Sequence, residues 1–224
     1  MKSIHSEDYT KEKYIIFKNN GIYPKKILDI GAHLGNWALK IKEAFPDSEV
    51  LSLEGNPNCA PELRSKNPNS LIVLLGEKEG TKDFYLPADE NTPEGGSFYK
   101  ENTYYYNNYK TISLPIRTLD SITANKGFDF IKIDVQGAEL DIIKGGLKTI
   151  LDSSFLQLEV SFLNCNQGAP LASEVISYLY SLGFSLYDIG SNFITPKNYR
   201  LYQSDFFFIN TRKVGHLLEM VEYV

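Results

Sequence analysis

Seven short apolar runs alternate with stretches of helical periodicity, and no other feature limits the fold of this chain so strongly. The runs are KILDI (Lys26–Ile30), EVLSL (Glu49–Leu53), SLIVLL (Ser70–Leu75), DFIKID (Asp129–Asp134), FLQLEV (Phe155–Val160), FSLYDI (Phe184–Ile189) and DFFFIN (Asp205–Asn210). Helices are predicted over Tyr9–Asn19, with Asp8 as N-cap and Gly21 closing it, and over Asn36–Ala44, stopped by Pro46. Others are predicted over Asn58–Lys66, over the AELDIIKGG segment and near Leu171–Leu182. Short apolar strands alternating with helices form a mostly parallel sheet covered on both faces. Right-handed crossovers then set the strand carboxyl ends along one rim, where ligands of such sheets bind.

With 224 residues the chain can build one sizeable core. A single domain over 1–224 is therefore expected, opened by an N-terminal helical segment at 1–24. Segment 87–110 is polar, glycine-bearing and rich in tyrosine, and it interrupts the alternation. It is read as an insertion or lid loop, with a merely solvated insertion, with or without a small hairpin, as the plainer alternative. Asp and Glu outnumber Lys and Arg by 28 to 23, which disfavours a nucleic-acid partner. Cys59 and Cys165 make neither a CxxC pair nor a zinc spacing, and they read as reduced thiols of a cytoplasmic protein. The opening MKSIHSEDYTKEKY lacks the apolar core of a secretory signal. No run approaches the roughly 20 apolar residues of a membrane span.

The turn Asp29-Ile30-Gly31-Ala32-His33-Leu34-Gly35 joins a strand to a helix. Gly31 permits a tight bend and close approach of a ligand to backbone. Gly35 would let the helix start pack against the strand, and the helix amino end offers N–H donors to a carboxylate. The G-x-G-x-x-G spacing of dinucleotide sites is absent, because His33 occupies the second glycine position. A plain strand-to-helix turn explains the same residues. Glu54, ending the second strand, is placed to accept from ribose hydroxyls, or else is a surface acid before the Gly55–Pro57 turn. Glu77, after Leu75-Gly76, would accept from an adenine amino group, or merely open the Glu77–Thr81 turn. In Ile131-Lys132-Ile133-Asp134-Val135-Gln136-Gly137-Ala138-Glu139, Lys132 and Asp134 share one face of a strand. Charges on a buried strand need partners. Asp134 lies on the ligand rim, Glu139 opens the next helix, and Glu159 ends LQLEV on the same rim. A Lys132–carboxylate ion pair with a helix-capping Glu139 is the structural alternative.

KILDIGAHLGNWA, LSLEGNP, LPIRTLDSI, FDFIKIDVQGAELDIIKGG and LQLEV occur in the order seen in FkbM-type methyltransferases. The chain resembles that family from about Lys25 to Val160, and more weakly through DFFFIN. IKIDVQGAEL is the most specific block. Family members usually carry Glu at the position of Gln136, often Asn at that of His33, and often Glu-Pro where this chain reads Glu54-Gly55-Asn56-Pro57. No role needing a carboxylate at 136 is therefore carried over. The resemblance implies an α/β, Rossmann-like class I methyltransferase fold: a mostly parallel seven-stranded sheet flanked by helices, the last strand antiparallel. It implies an S-adenosyl-L-methionine pocket drawn from Asp29, Gly31, His33, Gly35, Glu54, Gly76, Glu77 and Asp134. Gly31 and His33 would approach the methionine part, Glu54 the ribose, Glu77 the adenine, and Asp134 the sulfonium and the acceptor. It also implies O-methylation of a hydroxyl on a sugar, a glycan or a natural-product scaffold.

On this reading the protein mainly aligns two reactants, and a base takes the hydroxyl proton. Asp134 is the first candidate for the base, followed by Glu139 and then His33, with Lys132 holding a carboxylate or orienting the acceptor. Asp134, Glu139 and Glu159 could instead bind Mg²⁺, although a divalent metal is not expected. Phe98, Tyr99, Tyr104, Tyr105, Tyr106 and Tyr109 offer rings to stack on a small-molecule or glycan acceptor. Three rival readings share parts of the pattern. A nicotinamide-dependent oxidoreductase would use the ribose acid, but the third-glycine spacing is missing, and Tyr106 and Lys110 make a Tyr-x-x-x-Lys pair only inside the irregular loop. A non-catalytic S-adenosylmethionine-binding module would keep the pocket without turnover. A nucleic-acid methyltransferase would need a polar–Pro–Pro–aromatic loop where Asp134-Val135-Gln136-Gly137 stands.

Overall fold

A computed structural model describes residues 4–5, 9–88, 96–102, 108–124, 126–195 and 198–219. In chain order its elements are β1 (Ile4–His5), α1 (Tyr9–Asn19), β2 (Lys26–Ile30), α2 (Asn36–Ala44), β3 (Glu49–Glu54), α3 (Ala60–Lys66), β4 (Ser70–Ile72) and β5 (Leu74–Leu75). There follow β6 (Gly80–Pro87), β7 (Tyr109–Arg117), α4 (Leu119–Thr123), β8 (Phe130–Ile133), α5 (Glu139–Gly145), α6 (Leu147–Asp152), β9 (Phe155–Ser161), α7 (Ala172–Ser181), β10 (Phe184–Ile194), β11 (Leu201–Asn210) and α8 (Thr211–Val214).

The main sheet has the order β1-β10-β11-β9-β8-β2-β3-β4. β2 pairs in parallel with β3 and β8, and β8 with β9, whereas β11 runs antiparallel to both β9 and β10. The seven-stranded, mostly parallel sheet with a reversed last strand is therefore present, and the two-residue β1 adds to its β10 edge. Side-chain alternation sends two apolar sets to opposite faces. Ile27, Phe130, Phe155 and Phe207 pack with Tyr14 and Phe17 of α1 and Ile41 of α2. Leu28, Ile131, Leu156 and Phe208 pack with Ile142 and Ile143 of α5 and Val175 and Leu179 of α7. Each such fully buried side chain contributes about 1.5–3 kcal/mol, which makes these two layers the main source of stability.

SLIVLL, read as one strand, is two. Ser70–Ile72 pairs with β3, and the Val73 N–H donates to the Glu54 carbonyl at 2.7 Å. Leu74 and Leu75 then leave that sheet and pair with β7 in a second sheet of order β5-β7-β6. β6 and β7 form an antiparallel hairpin, and segment 87–110 spans its connection. Within that connection Ser97 bridges back to Tyr85. No helix among the described residues is long and apolar enough to cross a membrane. The chain reverses its winding between β2 and β8, so their tips form the switch point where sheets of this kind open a crevice.

Candidate active site

Backbone hydrogen bonds lace the tips of β2, β3 and β8 together. The Gly31 and Ala32 N–H groups both donate to the Leu53 carbonyl, at 2.9 and 3.1 Å, and the Asp134 N–H donates to the Ile30 carbonyl at 3.0 Å. Gly31 has φ +77°, and a Cβ there would lie 2.7 Å from the Asp134 carbonyl carbon, closer still to its oxygen. Only glycine fits that bend. His33 also has positive φ (49°), and its N–H donates to Glu54 Oε2 at 2.7 Å. The Asn56 N–H donates to Glu54 Oε1 at 2.7 Å. Both oxygens of this buried acid are thus fixed in direction. Burial outweighs those donors and raises its pKa above the usual carboxylate value.

Two cavities, each of about 270 Å³, meet at Gly31, His33 and Asp134. The first lies between Glu54 and Asn56 at the β3 tip, Leu74 and Leu75 of β5, and Phe84 and Phe98 from the second sheet and its connection. The second is more polar in its residues: Tyr14 of α1, Trp37 and Lys40 of α2, Lys132 of β8, Gln157 and Glu159 of β9, and Asp205 of β11.

Lys132 is the buried cation of this region. Its Nζ lies 3.2 Å from Asp134 Oδ2 and 3.6 Å from Asp29 Oδ1, and sits over the Trp37 ring at 5.6 Å. Burial works against its charge, but Asp134 and Asp29 outweigh it and hold the proton above the ordinary lysine range. Asp29 is fully buried beneath the bend and takes a hydrogen bond from Ser52 Oγ at 3.2 Å. Burial pushes its pKa up to about 6 despite Lys132.

Gln136 links two acids of the site. Held at φ 55°, it donates from Nε2 to Asp134 Oδ1 at 3.2 Å and to Glu159 Oε2 at 3.0 Å. A carboxylate there would repel both acids; the amide joins them. Its carbonyl accepts from Ser97 Oγ at 2.9 Å, which ties the β6–β7 connection to the site.

Of the residues read from the sequence, Gly31, His33, Glu54, Asp134 and Lys132 come together. The others are placed elsewhere, for identifiable reasons. Asp29 lines neither cavity and serves as a counterion to Lys132. Gly35 packs on Leu63 of α3 rather than on a strand. Gly76 is wedged against Ile116 and the helix glycine Gly145, and Glu77 beyond it is exposed, because β5 has already turned into the second sheet. Glu139 is turned inward: its Oε1 accepts from the Val135 and Gly137 N–H groups at 3.1 and 3.2 Å, bracing the loop. Burial pushes its pKa up to about 7. With Glu139 so engaged, Asp134, Glu139 and Glu159 do not converge as a ligand set, and no group of three or more His, Cys, Asp or Glu among the described residues is arranged to hold a metal.

Phe98 lines the first cavity, the Tyr99 hydroxyl donates to Asp141 at 2.9 Å, and Tyr109 packs edge-on against Tyr85. Tyr104, Tyr105 and Tyr106 lie outside the described residues. Tyr14, Trp37 and Gln157 were not anticipated at the site. Trp37 Nε1 donates to the Tyr14 hydroxyl at 2.8 Å, which donates to Gln157 Oε1 at 2.7 Å. The signal for Gln157 was present, since it stands two before Glu159 on an otherwise apolar strand.

Residues 29–186 match the methyltransferase FkbM domain. The chain belongs to that family. Among curated relatives of this methyltransferase, the 2-O-methyltransferase NoeI of Sinorhizobium fredii is 28% identical over 173 residues, covering 69% of this chain and 71% of that one. Methyltransferase str2 of Strobilurus tenacellus is 44% identical over a shorter stretch of 52 residues, 21% of this chain and 19% of that one. A solved methyltransferase FkbM structure from Methylobacillus flagellatus KT shares the fold, with a TM-score of 0.51 at 16% identity. It covers 81% of this FkbM-family chain, which in turn spans 43% of the solved one.

Proposed function

We propose that this FkbM-family methyltransferase uses S-adenosyl-L-methionine to methylate a hydroxyl on a sugar, glycan or natural-product acceptor. The observation that carries the reading is the clamped Glu54 carboxylate, opening on a cavity that continues past Asp134 into a second one. The residues present fit an adenosyl ligand. Glu54 retains lone pairs for ribose hydroxyls, and Leu74, Leu75, Phe84 and Phe98 offer apolar surface for a purine. His33 Nε2 is buried without a hydrogen-bond partner among the described residues. The first turn of α2 has no side-chain cap and borders the second cavity, where it suits a carboxylate. NoeI is by its name a 2-O-methyltransferase, which supports oxygen as the accepting atom.

When bound, S-adenosylmethionine supplies an electrophilic methyl group on a sulfonium. The protein's task is then alignment, which is worth about 7–11 kcal/mol for well-oriented reactants. Lys132 fixes Asp134 where the cavities meet, so the donor side and the acceptor side share one rigid wall. An acid of the second cavity receives the hydroxyl proton. Isothermal titration with S-adenosylhomocysteine tests the cofactor assignment. Wild-type protein should bind it, and Glu54→Ala should weaken binding at least tenfold, about 1.4 kcal/mol. Equal affinity in the variant, or preference for NAD, would refute it.

A further inference from the structure

We infer that Glu159 is the group that takes the proton from the acceptor hydroxyl, that Gln136 and Gln203 position it, and that the acceptor enters the second cavity as a polyhydroxylated compound. The inference rests on the methyltransferase reading above and deepens it.

The sequence points first to Asp134, but both Asp134 oxygens are engaged: Oδ2 with Lys132 at 3.2 Å and Oδ1 with Gln136 at 3.2 Å. Glu139 is spent on backbone N–H groups. Glu159 differs from both. Its Oε2 is held by two amide donors, Gln136 Nε2 at 3.0 Å and Gln203 Nε2 at 2.9 Å. Its Oε1 has no hydrogen-bond partner among the described residues, on a side chain that lines the second cavity. No cation among them pairs with it directly. A carboxylate fixed through one oxygen, with the other open to a cavity, is geometrically ready to accept a proton.

The surroundings raise its basicity. Burial, then Asp134 on β8, Asp205 on β11 and Glu139 on α5, all favour the protonated form, and Lys132 offsets them only in part. Beyond the α2 turn, the same cavity mixes donors and acceptors from Lys40, Gln157 and Asp205 around Tyr14 and Trp37. Such a lining offers hydrogen-bonding groups to several hydroxyls at once. In the step itself, the acceptor oxygen forms its bond to the methyl carbon as the carbon–sulfur bond breaks. The electron pair of that bond stays on sulfur, and the hydroxyl proton passes to Glu159 Oε1.

Infrared difference titration of the intact protein reads carboxylic-acid C=O bands directly. Wild type should lose several such bands above the usual carboxylate range, from Glu159 and from the buried Asp29, Glu54 and Glu139, and Glu159→Gln should lack the Glu159 band alone. Asp134→Asn should keep it with its midpoint moved to lower pH, because one repelling charge has gone. Survival of every band in Glu159→Gln would overturn the assignment. In tritiated-methyl transfer from S-adenosylmethionine to methyl glycosides and linear polyols, Glu159→Gln should lower turnover about 10²–10⁴-fold and remove the acid limb of the pH profile. Its affinity for S-adenosylhomocysteine should stay within about twofold, since a base on the acceptor side adds little to cofactor binding. Wild-type turnover in Glu159→Gln overturns this inference alone. Wild-type protein that binds no S-adenosylhomocysteine overturns the cofactor reading together with it.

Discussion

Replacing Gly31 by Ala tests whether the strand tips meet as described. At φ +77° an L-residue is strained by about 1–2 kcal/mol. The added Cβ would also lie 2.7 Å from the Asp134 carbonyl carbon. That neighbour is backbone, pinned by the bond from the Asp134 N–H to the Ile30 carbonyl, so it cannot swing aside as a flexible side chain would. Overpacking of this kind adds about 1–3 kcal/mol. The sum is about 2–5 kcal/mol, and each kcal/mol shifts Tm by roughly 2–4 °C in a domain of this size. Differential scanning calorimetry should therefore show Tm falling by about 10 °C. The β8 tip must move to make room, so affinity for S-adenosylhomocysteine should drop at least tenfold, about 1.4 kcal/mol. A variant with wild-type Tm and wild-type affinity would refute the convergence of Gly31 with Asp134.

Lys132→Met should cost about 3–5 kcal/mol in urea unfolding, because it strands Asp29 and Asp134 without their buried counterion; an unchanged midpoint would remove Lys132 from that role. Glu139→Gln keeps an acceptor for Val135 and Gly137 but removes the titration. Because the folded pKa of Glu139 is raised from 4.5 to about 7, its contribution to wild-type stability is fully present below pH 4.5 and lost as pH rises to about 7. The variant should gain roughly 3 kcal/mol on wild type across that window, and parallel stability–pH curves would contradict the burial of an ionised Glu139.

The βα alternation made the main sheet legible, since strands buried on both faces read as apolar runs. Glu54, Asp134 and Lys132 were legible as well, because charge at the end of such a run has to face a partner or a ligand. Periodicity could not show where SLIVLL changes sheets: Val73 makes the last bond to β3, and Leu74 and Leu75 are equally apolar in either sheet. That turn carried Gly76 and Glu77 away from the cavity where strand order alone would have put them. The β6–β7 hairpin was missed because most of its residues are exposed or half-buried and so carry no apolar signature. Glu139 misled for a different reason. A carboxylate opening a helix can face a ligand or its own loop, and only the Val135 and Gly137 N–H groups decide between them. Gln136 read as a lost carboxylate, when its amide is the link between Asp134 and Glu159.

A crystal structure grown with S-adenosylhomocysteine tests the central claim most directly. The account predicts the ribose hydroxyls on Glu54, the adenine between Leu74 and Phe98, and the sulfur beside Asp134 facing the second cavity. Ligand density away from the β2, β3 and β8 tips, or a Glu54 side chain turned from the ligand, would contradict it.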